Sequence, residues 1–156
     1  MITVVESWIE APVRQFVDEA GVELALLLHP SGQVLAQHGF ARSMDVMSAC
    51  ALVAGIHATG GELGRMIDDK PFRGLHHVGT TRQIVVAEAR SPRGAYIFLT
   101  VFGSESSIGL VRLYFDELVA ALVAAAPTSD APAPPALAEH FERDLNRNLA
   151  VLFGRA

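Results

Sequence analysis

The apolar positions of the chain recur in two ways, at three- and four-residue steps or in short continuous runs, and these patterns distinguish helices from strands. The helical pattern first occurs at about 5–20. Ser7 with Glu10 predicts a capping box at the start of this helix. Gly21 predicts its end, because glycine readily adopts the left-handed conformation that closes a helix.

Short apolar runs bounded by turn residues predict five strands, at 23–29, 34–39, 74–80, 82–89 and 95–102. Pro30-Ser31-Gly32 forms the turn between the first two strands, and Ser91-Pro92-Arg93-Gly94 forms the turn between the last two. A final helix is predicted at about 107–125, with Ser106 or Ser107 as its cap. The connections are short enough for hairpins and therefore predict an antiparallel sheet.

The predicted order is α-β-β-α-β-β-β-α, an α+β class with a five-stranded antiparallel sheet sandwiched by helices. Residues 1–126 form this domain, and the Pro/Ala-rich stretch 127–136 is predicted to be a semi-rigid linker. Residues 137–156 are predicted to form a C-terminal amphipathic helix. Its candidate contact residues are Leu137, Phe141, Leu145, Leu149, Leu152 and Phe153.

The helix predicted at 44–68, with Ser43 as its cap, has two apolar stripes. The first stripe fits a core face and consists of Val46, Ala49, Cys50, Val53, Ile56, Leu63 and Ile67. The second stripe is made mostly of small residues, Met47, Ala51, Ala54, Ala58 and Gly61. A helix with two apolar faces is usually covered on both, and small residues let another backbone approach closely. The glycines of this helix are expected to thin one face for close packing.

The composition narrows the function classes. The chain has 156 residues, of which 51% are hydrophobic and 19% are charged, so it can bury a sizeable core and is not disordered over most of its length. Its net charge of −5 argues against nucleic-acid binding, which needs a basic face. The apolar excess indicates surface that a partner or a second copy covers.

The sequence predicts a cytoplasmic protein. No apolar stretch is long enough and free enough of charge to be recognised as a membrane span, and the first 20 residues lack the basic start of a signal peptide. The single cysteine, Cys50, fits a reducing compartment.

Residues that could carry chemistry do not converge on one site. His76 and His77 are neighbours on a predicted strand and therefore point to opposite faces, which disfavours one shared metal ion. The glycines at 60, 61 and 64 lack the Lys-Ser/Thr that completes a phosphate-binding loop. Cys50 lies on the predicted core face with no base nearby in the sequence. We therefore expect no enzyme activity, no cofactor and no metal.

Three segments carry a resemblance to a known family: ALLLHPSGQVLAQHG at 25–39, ALVAGIHATGGELGRMI at 51–67 and FLTVFGSESSIGLVRLYFDEL at 98–118. They resemble the roadblock family of dynein light chains and their bacterial relatives, and most of all its MglB type. The resemblance implies a homodimer whose sheets join edge to edge, with the 44–68 helices side by side. It also implies that these helices bind a small Ras-like GTPase of the MglA type.

Members of this type stimulate GTP hydrolysis without supplying a catalytic arginine, and their C-terminal segment promotes exchange, so the resemblance implies a role in cell polarity or gliding motility. The residues predicted to bind the partner or the second copy are Met47, Ala51, Ala54, Ala58, Gly61, Glu62 and Arg65. An alternative is a roadblock scaffold or adaptor without effect on GTP turnover. A small enzyme or ligand-binding module is a third hypothesis.

Overall fold

The computed structural model describes residues 6–40, 44–128 and 147. The chain divides into two units, Met1–Ala126 and Pro127–Ala156, and the architecture below is that of the first unit. Most of the predicted linker and nearly all of the predicted C-terminal helix lie outside the described residues, so both stay predictions.

The described elements follow the predicted order, which confirms the α+β class and the five-stranded antiparallel sheet. The helices are α1 (Ser7–Ala20), α2 (Val46–Asp68) and α3 (Ile108–Ala125). The strands are β1 (Leu24–Leu28), β2 (Val34–Gly39), β3 (Gly74–Val78), β4 (Gln83–Ser91) and β5 (Gly94–Phe102).

The sheet has the order β2-β1-β5-β4-β3, and each pair of neighbouring strands is antiparallel. Strand β1 lies between β2 and β5 and is buried along its whole length, which explains its continuous apolar run, LALLL. Strands β2 and β3 are the two edges. Within the sheet, the buried hydroxyl of Thr100 donates a hydrogen bond to the carbonyl of Leu24 at 2.8 Å, so this polar group is satisfied.

The two faces of the sheet have separate cores. On one face, α1 and α3 pack against each other and against the strands, with Phe16 edge-on to Phe98 at 4.9 Å. On the other face, α2 lies alone over a smaller cluster that includes Cys50, Val53 and Leu99. This division leaves much of the side of α2 that faces away from the sheet exposed.

The helix caps differ in part from the prediction. The capping box of Ser7 and Glu10 is wrong, because α1 begins after Glu6 and has no side-chain cap. Gly21 does end α1 in the left-handed conformation, at φ 67°. Helix α2 is capped by Asp45, whereas the predicted cap, Ser43, lies outside the described residues. Ser107 caps α3, and its hydroxyl accepts a hydrogen bond from the Leu110 amide.

Candidate functional site

Helix α2 contacts the sheet along a narrow face of small and medium residues. Its buried residues are Cys50, Val53, Gly60 and Gly64. A Cβ atom on Gly64 would lie 2.3 Å from the amide nitrogen of Phe72, and one on Gly60 would lie 3.2 Å from the Leu75 side chain. The expectation that glycine permits close packing is thus confirmed at these two positions. The neighbours are the loop after α2 and strand β3.

The prediction that Leu63 and Ile67 belong to the core face is wrong. Both are exposed, with 48% and 67% of their surface accessible. The reason is that Gly60 and Gly64 occupy the centre of the buried face in the second half of α2. The two large apolar residues therefore lie on its flank, where the sheet does not reach.

The small-residue stripe and the other two predicted binding residues, Glu62 and Arg65, lie on the outer half of α2. Met47, Ala51, Ala58, Glu62 and Arg65 are exposed, and Ala54 and Gly61 are half-buried. Glu62 and Arg65 form an ion pair with each other on this surface. The structure thus brings the seven predicted residues together on one flank of one helix, whereas their role in binding stays a prediction.

A second flank of α2 carries large apolar residues that the sequence analysis did not assign to a binding surface. Leu52, Leu63, Met66 and Ile67 are all exposed, and Met66 is 82% accessible. Leu52, Leu63 and Met66 follow helical spacing, so the signal was present in the sequence. Together with the small-residue stripe they form the outer face of α2, a large apolar patch on the domain.

The open edge of the sheet adjoins this patch. Among the described strands, β3 pairs with β4 alone, and α2 packs against β3. Val78 at the end of β3 is 71% exposed, and His76 and His77 are exposed as well. An unpaired strand edge beside an apolar helix face offers both backbone hydrogen bonds and apolar contact to a partner.

One charged cluster lies between α2 and the sheet. Glu88 on β4 is nearly buried and accepts a hydrogen bond from Nε of Arg90 at 2.7 Å. The second oxygen of Glu88 lies 3.7 Å from Nε2 of His57 on α2. This nitrogen is buried and has no hydrogen-bond partner among the described residues. The cluster places the His57 ring beside the Glu88 carboxylate where α2 meets β4.

The titratable groups of α2 fit structural roles. Hydrogen bonds from the side chain and backbone of Ser48 hold the pKa of Asp45 below its ordinary value. Burial raises the pKa of the Cys50 thiol, which disfavours the reactive thiolate. Within residues 6–40 and 44–128, no group of three or more His, Cys, Asp or Glu side chains could hold a metal ion.

Helix α2 also passes a test of length and apolar composition for membrane spans, which the sequence analysis did not anticipate. Its 23 residues have a mean hydropathy of 1.3 over the most apolar window. In this structure α2 packs on the sheet through Cys50 and Val53.

Comparison with solved structures identifies the fold. Over 77% of this chain and 95% of the other, it superposes on Myxococcus xanthus MglB with a TM-score of 0.68 and 22% identity. A structure described as MglB with tetrameric arrangement superposes with a TM-score of 0.68 and 23% identity, over 80% of this chain and 94% of the other. A Roadblock/LC7 domain from Streptomyces avermitilis superposes with a TM-score of 0.59 and 21% identity, over 74% of this chain and 92% of the other.

This is the MglB-like roadblock fold. The fold that the sequence resemblance implied is therefore confirmed. No protein-family model matches the sequence, and no curated protein matches it significantly.

Proposed function

We propose that this protein is a homodimeric regulator that binds a small Ras-like GTPase of the MglA type through α2 and changes its rate of GTP hydrolysis. The observation that carries the proposal is the outer face of α2, where Met47 and Met66 are more than 80% exposed. The MglB-like fold supports the class of partner. Cell polarity or gliding motility would be the process served, in the cytoplasm.

The small-residue stripe suits a second copy of α2. Ala51 and Ala58 are exposed and have no side-chain atom beyond Cβ, so a second helix could approach the backbone closely at these positions. The open edge of β3 lies beside the same helix and would extend the sheet into the second copy. Both features support a dimer in which helices and sheet edges meet.

The flank of large residues suits the GTPase. Met66 is a long, flexible side chain that can adapt to a partner's surface, and Leu52 and Leu63 extend the exposed apolar surface of this flank. The described residues contain no convergent set of acid, base and nucleophile, so we propose action by contact, with the chemistry left to the GTPase.

The C-terminal segment would act separately. Its apolar residues from Leu137 to Phe153 recur at helical steps after a Pro/Ala-rich stretch. We propose that these residues contact the GTPase and promote nucleotide exchange. A chain that stops at Pro127 would then keep dimerisation and stimulation of hydrolysis and lose exchange, as measured by release of a fluorescent GDP analogue.

The experiment is a GTP turnover assay with a Ras-like GTPase from the same cell. The wild-type chain should raise GTP turnover. Ala58→Arg should abolish the increase, because a charged side chain would enter the apolar contact between the α2 helices of the two copies. Ala124→Arg, an exposed alanine on α3, is the matched control and should behave as wild type.

The outcomes separate the hypotheses. Binding to the GTPase without a change in turnover would favour the alternative, a scaffold or adaptor. Full stimulation by Ala58→Arg would remove the assignment of this face.

A further inference from the structure

Strand β3 places two adjacent histidines at the middle of the open sheet edge. His76 lies opposite Val85 of β4, and His77 lies opposite Ile84. Successive residues of a strand point to opposite faces, so one imidazole lies on the α3 side of the sheet and the other on the α2 side. Both side chains are exposed along the edge where none of the described strands pairs.

Pairing of β3 with a second copy would bring like imidazoles together. This step rests on the dimer proposed above. A twofold axis perpendicular to the sheet keeps each face on the same side, so residues that oppose each other share a face. Full overlap of the five-residue strand places His76 opposite the partner's His76. A slide by two residues places His77 opposite the partner's His77.

In both registers one histidine pair is directly opposed and the other is diagonal. Directly opposed Cβ atoms in an antiparallel pair lie about 4.5–5.5 Å apart, and diagonal neighbours lie about 7–8 Å apart. Imidazole is the side chain whose charge ordinarily changes between pH 5 and 8. Protonation would thus place like charges beside each other at the centre of the contact.

The groups around His76 do not neutralise such a charge. Its Nε2 lies 2.7 Å from the amide oxygen of Gln83, and its ring stacks on Phe102 at 6.1 Å. Arg112 of α3 lines the same cavity of about 200 Å³ and carries the same sign of charge. Asp116 lines a neighbouring cavity farther along α3, with Arg73 and Arg90.

The α2 side offers His77 no ion pair either. The charged residues of the second half of α2 and of the following loop are Glu62, Arg65, Asp68, Asp69, Lys70 and Arg73. Glu62 pairs with Arg65, and on β4 Glu88 pairs with Arg90 and lies near His57. Among the described residues, no carboxylate lies within 4.0 Å of either β3 imidazole.

We propose that His76 and His77 make the association of two copies pH-sensitive, holding the dimer together when neutral and opposing it when protonated. The sign follows from the charges. The separated chains bind protons on these histidines more readily than the dimer does, because the dimer opposes two positive charges. The dimer is therefore favoured at high pH and is lost as pH falls through the range in which histidine titrates.

The test is the dissociation constant of the full chain, measured by analytical ultracentrifugation at pH 7.5 and pH 5.5. The wild-type constant should rise about tenfold or more at the lower pH, the change that ~1.4 kcal/mol of repulsion produces. The double variant His76→Asn/His77→Asn should stay dimeric with a constant that changes less than about threefold. His38→Asn, on the opposite edge strand β2, is the control and should respond to pH as wild type does.

Each result decides one point. A wild-type dimer whose constant is the same at both pH values overturns the inference and leaves the proposed dimer intact. Equal weakening of wild type and double variant also overturns it, because other groups would then be responsible. A wild-type chain that is monomeric at pH 7.5 contradicts the dimer itself and, with it, the proposed function. Circular dichroism at both pH values confirms that each variant is folded.

Discussion

The two faces of the sheet are covered by helices with similar apolar residues, but those residues differ in how far they are buried. On the α1/α3 face, two helices cover the strands and also each other, so that Ile9, Val13 and Phe16 of α1 are buried. On the α2 face, one helix covers the strands and no other described element covers that helix, so that Met47 and Met66 are exposed. Apolar periodicity thus shows that a surface will be covered, and the number of layers decides whether the same chain covers it.

The largest expected loss of stability comes from a substitution in the core under α1 and α3. Phe16→Ala removes a ring that packs edge-on against Phe98, and it should lower the free energy of unfolding by about 3–5 kcal/mol through lost burial and a cavity. Urea denaturation measures this loss. A loss below about 1 kcal/mol would show that the α1/α3 core is loose, contrary to its packing.

The contact of α2 with its own domain is tested by two glycines. Gly64→Ala would press a methyl group against the backbone of Phe72 and Lys70 and should destabilise the domain by about 1–3 kcal/mol. Gly55→Ala on the outer face meets nothing within 4 Å and should stabilise α2 by up to about 1 kcal/mol. Thermal unfolding of the pair compares the two sides of one helix. Equal shifts would contradict the assignment of the inner face.

The outer face is tested by Met66→Ala. The side chain touches little within its own chain, so its removal should change the stability of the isolated chain by less than about 0.5 kcal/mol. If the GTPase covers it, adding the GTPase raises the wild-type Tm and raises the Tm of the variant less. A Tm that the GTPase changes in neither protein would argue against this contact.

The smallest effect concerns the start of α2. The pKa of Asp45 is lowered in the folded state, so its contribution to stability is present above the ordinary aspartate pKa and is lost as pH falls towards the folded-state value. Asp45→Ala should lower Tm slightly at pH 7, and this difference should shrink at pH 3. Asp45→Asn keeps the cap without the charge, so its Tm at pH 7 should lie between those of wild type and Asp45→Ala.

Most of the fold could be predicted from the sequence, because the elements have strong local signals. The predicted strand 34–39 matches β2 residue for residue, and the Gly21 stop and Ser107 cap are also present. The order of strands in the sheet was not predicted, because the position of β5 between β1 and β4 depends on pairing between distant residues.

The candidate site could be predicted only in part, for a related reason. Periodicity identified two apolar sides of α2, yet it assigned Leu63 and Ile67 to the core stripe, and both are exposed. The helix instead lies on the sheet through Gly60 and Gly64, whose lack of a side chain lets the backbones approach. Which side of an apolar helix faces inward is decided by this fit, and the sequence pattern contains no direct signal for it.

The central claim is that the outer face of α2 is covered by a second copy and by a partner. The most direct test is the mass of the full chain by light scattering at micromolar concentration and pH 7.5, for wild type and Ala58→Arg. The account predicts twice the 16.7 kDa chain mass for wild type and a single chain mass for the variant. A single chain mass for wild type, or an unchanged dimer for Ala58→Arg, would contradict it.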